Sequence, residues 1–262
     1  MTWYVQILLA LVSATSAFAL VWFWQYKTGK SSIVDVVWSF AVGTLGIFFC
    51  LTSIGLPARR LLVALLAGFW SVRLGVYIIN RLRTMPEDGR YLELQETWGD
   101  QHQRKMFSFY QFQAIGALLF SLPMLIASHN RAELGLLDLI GAAIFLLAIA
   151  GEMLADWQLH RFRMRPESKG KVCKVGLWRY SRHPNYFFEW VHWWSYLLFA
   201  LSGFVHPWGW INILFPLAMY YFIRFKTGIP PTEQQAIKSR GQAYIDYQRT
   251  TNAFFPWFPK AS

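Results

Sequence analysis

Long apolar segments separated by shorter polar connections run along the whole chain. A helix needs about 20 apolar residues to cross the hydrocarbon core of a bilayer. A helix of a soluble bundle would carry one apolar stripe, whereas these segments are apolar on every side. The pattern predicts an all-α, polytopic integral membrane protein with about seven transmembrane helices. The predicted spans are residues 3–24, 33–54, 61–79, 112–127, 134–155, 187–204 and 208–223.

Composition and charge support this class and orient the helices. Only 15% of the 262 residues are charged, against about 25% in a typical soluble domain. Most Lys and Arg follow the first, third and fifth predicted spans or lie in the tail. The positive-inside rule therefore predicts an N-terminus outside and a cytoplasmic C-terminus. The net charge of +11 lies in loops beside anionic headgroups, so we expect membrane lipids as partners and no nucleic acid.

The chain is predicted to form a single membrane-embedded domain over residues 1–262, since no repeat or linker interrupts it. The long connections 80–111 and 156–186 lie on the predicted cytoplasmic side, which makes this the expected working face. In the tail, residues 231–249 predict an amphipathic helix, followed by an aromatic segment at the membrane surface.

Polar side chains are concentrated in the segment Gly176-Leu-Trp-Arg-Tyr-Ser-Arg-His-Pro-Asn-Tyr-Phe-Phe-Glu189. Charged groups at membrane depth are costly and usually face a cavity or the bundle interior. Pro184 favours a helix that begins near Asn185, where free backbone N–H groups could bind an anion. An interfacial aromatic belt would account for the tryptophans but not for Glu189. The candidate binding residues here are Tyr180, Arg182, His183, Asn185 and Glu189.

A second polar group lies at the end of the fifth predicted span. Glu152 and Asp156 are four residues apart, so they share one face of a helix. Arg163 follows two turns later if the helix continues. Carboxylates can accept hydrogen bonds from ribose hydroxyls or an amide, and arginines bind phosphate in bidentate fashion. The alternative is a helix end whose charged side chains extend to the membrane surface.

A third polar group lies nearer the N-terminus. Asp35 is surrounded by branched apolar residues, Arg73 interrupts the third span, and Arg90 and Tyr91 follow on the cytoplasmic side. One interpretation is an Asp35–Arg73 ion pair that only fixes helix packing. The other is a carboxyl group that helps to protonate or orient a substrate. We assign Asp35, Arg73 and Tyr91 as catalytic candidates and Arg90 as a candidate cofactor ligand.

Common nucleotide motifs do not occur in this chain. There is no Walker loop and no Gly-x-Gly-x-x-Gly, so a nucleotide would have to be held by side chains inside a helical bundle. The histidines show no metal-ligand spacing with each other or with cysteine, and we predict no metal site.

At these residues the chain resembles the steroid 5α-reductase superfamily, and in particular its bacterial branch of multi-span proteins (DUF1295-like). The resemblance covers most of the chain. Its motifs are Ser32-Ile-Val-Asp35-Val-Val-Trp38, Trp70-Ser-Val-Arg73-Leu, Glu87-Asp-Gly-Arg-Tyr91, Gly176-Leu-Trp-Arg-Tyr180, Ser181-Arg-His-Pro-Asn185-Tyr and Glu189.

The resemblance implies a seven-helix bundle of the bacterial inner membrane that holds NADPH in its cytoplasmic half. It implies hydride transfer to the β-carbon of an enone, with a protein acid near the carbonyl oxygen. Residues 1–111 would form the substrate side, with Asp35 as the substrate-side carboxyl, and residues 112–262 the cofactor-binding part. The implied cofactor contacts are Asp156, Arg163, Tyr180, Asn185 and Glu189.

One position departs from the family pattern. Where the steroid enzymes carry a tyrosine that holds the substrate ketone, three residues before the arginine of the third span, this chain has Trp70. An indole N–H can donate a hydrogen bond but is no proton source at neutral pH. Tyr91 and Tyr186 are the alternative donors.

Two other classes compete with the reductase. Membrane methyltransferases of the isoprenylcysteine carboxyl or phospholipid type share Arg-His-Pro-x-Tyr and use S-adenosylmethionine. A Glu-Glu pair in the tail would favour them, but here the pair is Glu233-Gln234. A transporter or lipid-binding scaffold would spread its polar residues along a path through several spans. The sequence favours an NADPH-dependent reductase that acts on a carbon–carbon double bond of a hydrophobic lipid or other small molecule.

Overall fold

The computed structural model describes residues 1–84 and 87–260, and these residues form α-helices and short 3-10 turns without a β-strand. The predicted all-α fold is therefore confirmed. The helices are α1 Trp3–Thr28, α2 Ile33–Thr52, α3 Pro57–Thr84, α4 Gly89–Trp98, α5 His102–Ser128, α6 Leu136–Arg163, α7 Pro184–Leu201, α8 Leu214–Phe225, α9 Ile229–Arg240 and α10 Gln242–Thr250.

Five helical segments in the described part of the chain are long and apolar enough to span a membrane. They are α1, α2, α3, the segment Gly89–Ser128 that contains α4 and α5, and α6. This result confirms a membrane protein with several spans, while the count of seven and the orientation stay predictions. The last predicted span corresponds to α8, whose 12 residues extend only about 18 Å, against a hydrocarbon core of about 30 Å.

The connection predicted at residues 80–111 is mostly helical. The carboxylate of Asp88 caps α4 by accepting a hydrogen bond from the backbone N–H of Arg90, at 3.1 Å. Such a cap satisfies a donor that the first helical turn leaves free. The tail helix predicted at residues 231–249 is likewise divided into α9 and α10, because Gly241 adopts a φ of 56° that few other residues tolerate.

The chain divides into two compact units. The first unit contains residues 1–138 and 196–212, and the second contains residues 139–195 and 213–262. The division at residue 111 into a substrate side and a cofactor-binding part stays a prediction.

In the first unit, α2 packs against α1, α3 and α5. Small residues allow the closest approach: a Cβ atom added to Gly43 would lie 2.2 Å from Cβ of Ser71, and one added to Gly75 would lie 2.5 Å from the Phe40 ring. Helices that pack in a membrane use small residues in this way, because no hydrophobic force draws them together in lipid.

A buried ion pair ties α3 to the start of α6 within the first unit. The guanidinium of Arg59 is fully buried and donates to both carboxylate oxygens of Asp138, at 2.7 and 2.8 Å. Its other N–H groups donate to the backbone carbonyls of Asn130, Ala132 and Glu133. All of its donors are satisfied, which makes a buried charge tolerable.

The parts of α6 and α7 that belong to the second unit run antiparallel. Asn185 lies against Asp156, and one turn further the Phe188 ring packs on Gly151. Beyond them the rings of His192 and Phe145 meet edge to face. This register determines which polar side chains of the two helices share a level.

Candidate functional site

In the first unit, Asp35 lies at the start of α2 and is held by two neighbours from α4. The hydroxyl of Tyr91 donates to Oδ1 of Asp35 at 2.8 Å, and Nη2 of Arg90 donates to Oδ2 at 2.9 Å. Tyr91 is buried. The structure thus brings together three of the predicted site residues and places a phenol directly against a carboxylate.

Asp88 and Glu87 support this cluster. Both oxygens of Asp88 accept hydrogen bonds from Arg90, and Nη2 of Arg81 lies 3.3 Å from Oδ2. Burial raises the pKa of Asp88, but the hydrogen bonds and charge of Arg90 and the charge of Arg81 outweigh burial and lower it below its ordinary value. Glu87 accepts from the N–H and hydroxyl of Ser32, at 2.6 and 2.7 Å. These bonds fix α4 against the start of α2.

Arg73 and Trp70 lie on α3. The guanidinium carbon of Arg73 is 5.7 Å from the centre of the Tyr77 ring. The described ion pairs of Asp35 are with Arg90 and, at 4.0 Å, with Arg81, so the Asp35–Arg73 pair stays a prediction. Trp70 is fully buried and meets Trp38 edge to face. It is therefore part of the helix packing in this unit.

In the second unit, Asp156 and Asn185 join α6 to α7. The Asn185 side-chain N–H group donates to Oδ1 of Asp156 at 3.2 Å, and Oδ1 of Asn185 is a buried acceptor without a hydrogen-bond partner among the described residues. Buried polar atoms in native proteins are nearly always hydrogen-bonded. An unsatisfied acceptor beside a buried carboxylate is suited to a ligand that brings its own N–H or O–H groups.

Glu152 and Glu189 lie one turn further along these two helices. Since each is four residues from Asp156 or Asn185 and the helices are antiparallel, the two carboxylates share a level. Glu152 is only 4% exposed. Glu189 accepts from the indole N–H of Trp193 at 3.1 Å, and its Oε2 lies 3.6 Å from Nδ1 of His192. The face shared by Glu152 and Asp156 on α6 and the face shared by Asn185 and Glu189 on α7 thus form a polar row of four side chains.

Arg182 and His183 both bind Glu233 of α9. Arg182 donates to both carboxylate oxygens, at 2.6 and 3.2 Å, and Nε2 of His183 lies 3.0 Å from Oε1. Gln248 donates to the same carboxylate at 2.7 Å. Arg182 also donates to the backbone carbonyls of Gln248 and Thr251. These two residues therefore hold the tail in this structure, and their roles as cofactor ligands stay predictions.

The protonation states in this cluster follow from burial and charge. Burial raises the pKa of Glu233, but hydrogen bonds from His183 and Arg182 and the charge of Arg182 lower it to about 2. Burial lowers the pKa of His183 below its usual value, although Glu233 opposes that shift. A neutral imidazole facing a carboxylate must donate, so Nε2 of His183 carries the proton.

The residues that follow α10 pack against the polar segment of residues 176–189. The Ser181 hydroxyl donates to the carbonyl of Phe254 at 2.9 Å, and the carbonyl of Tyr180 accepts from the N–H of Trp257 at 2.9 Å. The hydroxyl of Tyr247 donates to the carbonyls of Trp178 and Ser181. The half-buried Tyr180 is thereby held mainly through its backbone.

Arg163 and Tyr186 complete the predicted set in this unit. Arg163 is exposed in the last turn of α6, as expected for a continuing helix. The ring of Tyr186 stacks on His183 with centres 5.3 Å apart, and its hydroxyl lies 3.3 Å from that of Thr232. Of the two alternative donors, Tyr91 is the one that contacts Asp35.

Asp88 and Glu233 belong to the two clusters but are not among the residues predicted from the sequence to form the site. Nothing near Glu233 in the sequence shows that it pairs with Arg182, 51 residues away. Asp88 could have been found, because Asp before Gly89 and a helical pattern is a typical N-cap.

Comparisons with known proteins place the chain in a family. The family model described as "Protein of unknown function (DUF1295)" matches residues 21–251. An uncharacterised protein of Schizosaccharomyces pombe is 27% identical over 208 residues, a match that covers 69% of this chain and 60% of the yeast protein. No solved structure is significantly similar. The chain belongs to the DUF1295 family, which is commonly placed in the steroid 5α-reductase-like superfamily.

Proposed function

We propose that this protein is a membrane-bound, NADPH-dependent reductase of a carbon–carbon double bond conjugated to a carbonyl in a hydrophobic lipid. The observation that carries the proposal is the polar row of Glu152, Asp156, Asn185 and Glu189, with its buried unsatisfied acceptor on Asn185. The placement of the DUF1295 family in the steroid 5α-reductase-like superfamily supports the same class of reaction. The proposed location is the bacterial inner membrane, with the site open to the cytoplasm.

The second unit offers the groups that NADPH would require. Oδ1 of Asn185 can accept from a carboxamide or a ribose hydroxyl, and the carboxylates of Asp156, Glu152 and Glu189 are suited to ribose hydroxyls. The exposed Arg163 at the end of α6 can pair with a phosphate. NADPH, when bound, would supply a hydride for the double bond.

The first unit offers a proton-donating group. Tyr91 holds its hydroxyl hydrogen toward Asp35, and Arg90 balances the charge of that carboxylate. We assign Tyr91 to the carbonyl oxygen of the substrate: turned from Asp35, its hydroxyl would donate a hydrogen bond that stabilises the charge developing there as the double bond is reduced, and Asp35 would position the phenol. Tyr91 rather than Trp70 is the proposed donor, because its hydroxyl contacts Asp35 and an indole N–H is no proton source at neutral pH.

The contacts of Glu233 argue against the methyltransferase alternative. Its two oxygens accept hydrogen bonds from Arg182, His183 and Gln248. A carboxylate engaged in this way stabilises the tail and has little capacity left for a sulfonium ligand.

Glu189→Gln and Asn185→Ala are expected to weaken NADPH binding by about 10- to 100-fold each. A hydrogen bond to a charged or buried group contributes about 1.5–3 kcal/mol, which corresponds to that range in Kd. The measurement is NADPH titration of detergent-purified protein by fluorescence.

Glu167→Gln provides the matched control, because Glu167 is an exposed carboxylate of the same unit. Its Kd should equal that of the unmodified protein. Unchanged NADPH affinity in both site variants, with the protein folded, would remove the polar row from the proposed cofactor site.

A further inference from the structure

A cavity of about 420 Å³ lies in the first unit, at the end of α1, the start of α2 and the end of α3. Its wall is apolar over the side chains of α2 and α3, where Ile33, Val36, Ile79 and Leu82 line it. Trp24 forms the wall on α1. None of the roles assigned to Asp35, Arg90 or Tyr91 uses this space.

Two cationic side chains line the cavity. Lys30, in the connection between α1 and α2, and Arg83, in the last turn of α3, both line it and are exposed. The acidic side chain in the lining is Glu87, and its Oε1 already accepts two hydrogen bonds from Ser32. An anion at this position would therefore meet two exposed cations, whereas the carboxylate of Glu87 is hydrogen-bonded to Ser32.

The position of the cavity along the helices indicates what it binds. Because α1, α2 and α3 are candidate membrane spans, their ends lie at the depth of the lipid headgroups. Lys, Arg and Trp at such ends are the side chains that face headgroups and interfacial chains. A ligand that is anionic at one end and apolar along its length matches both the cations and the wall.

We propose that this cavity binds an acidic phospholipid, with the phosphate between Lys30 and Arg83 and an acyl chain along the wall of α2 and α3. The site adjoins the Asp35 cluster through Ser32, whose hydroxyl donates to Glu87 and accepts from the N–H of Asp88. It does not depend on the proposed reductase activity. We therefore expect the protein to retain one such lipid when it is extracted from the membrane with detergent.

The test is lipid retention measured by native mass spectrometry in maltoside micelles that contain phosphatidylglycerol or phosphatidylcholine. The protein is expected to retain one phosphatidylglycerol and no phosphatidylcholine. Lys30→Gln/Arg83→Gln should bind phosphatidylglycerol about 30-fold more weakly, since each cation near a lipid surface contributes about fivefold. Ile79→Trp, which fills the cavity and keeps both cations, should also lose the lipid.

The control variant is Lys169→Gln/Lys171→Gln, which removes two exposed lysines from the second unit. It loses the same net charge and should retain the lipid. Equal retention by the Lys30/Arg83 variant, equal retention of phosphatidylcholine, or displacement of the lipid by inorganic phosphate at similar concentration would each overturn the proposal.

Discussion

Replacing Asp35 by Asn is expected to lower the turnover of an enone substrate by about 100-fold or more, the usual effect of losing an acid–base group. The amide keeps the size of the side chain and can still accept a hydrogen bond from Tyr91, but it removes the charge that Arg90 balances. NADPH affinity should stay within about twofold, because no described contact of Asp35 lies in the second unit. Turnover is followed as NADPH oxidation with a panel of enone lipids.

Asp100→Asn is the matched control, since Asp100 is exposed in the turn after α4. Tyr91→Phe should behave like the Asp35 variant, as it removes the hydroxyl that bonds to the carboxylate. Normal turnover in Asp35→Asn would remove Asp35 from the catalytic residues, and normal turnover in Tyr91→Phe would do the same for Tyr91.

Glu233→Gln is expected to lower the free energy of unfolding by about 3 kcal/mol, because removing one partner of a largely buried ion pair leaves the other charge uncompensated. The side chains of Arg182 and Glu233 are only 11% and 12% exposed. Asp246→Asn is the control: Asp246 pairs with Arg249 at 3.5 Å, but these side chains are 54% and 72% exposed. Thermal unfolding in detergent measures both variants, and equal unfolding temperatures would contradict the role of Glu233.

The same cluster makes stability depend on pH. The pKa of His183 lies below its usual 6.5 in the folded protein, so the unfolded chain binds more protons and stability declines as the pH falls through that value. The pKa of Glu233 is lowered from 4.5 to about 2, so its contribution is complete above pH 4.5 and is lost between these values. Glu233→Gln should reduce the fall in unfolding temperature between pH 4.5 and 2, to which Asp88 also contributes.

The five long apolar helical segments could be predicted because hydropathy is a local property of the sequence. The i, i+4 spacing of Glu152 with Asp156 and of Asn185 with Glu189 also correctly indicated shared helix faces. What the spacing could not show is the register of α6 against α7, which depends on Phe188 packing on Gly151. That register is what places Asn185 on Asp156.

Other features required the tertiary structure. Arg182 is a predicted cofactor-binding residue, because it lies in the polar segment that precedes a helix start. In the structure its partner is Glu233, which the chain brings back from α9. Likewise the contacts of Asp35 with Arg90 and Tyr91 require the tertiary structure, because α4 lies within the connection predicted at residues 80–111.

The most direct test of the proposed function compares NADPH, NADH and S-adenosylmethionine as ligands of the detergent-purified protein, read as a rise in the unfolding temperature. A ligand that binds only the folded state stabilises it by mass action. We expect NADPH to raise the unfolding temperature, Glu189→Gln to weaken that rise, and S-adenosylmethionine to have no effect. Stabilisation by S-adenosylmethionine without any by NADPH would contradict the reductase and identify a methyltransferase.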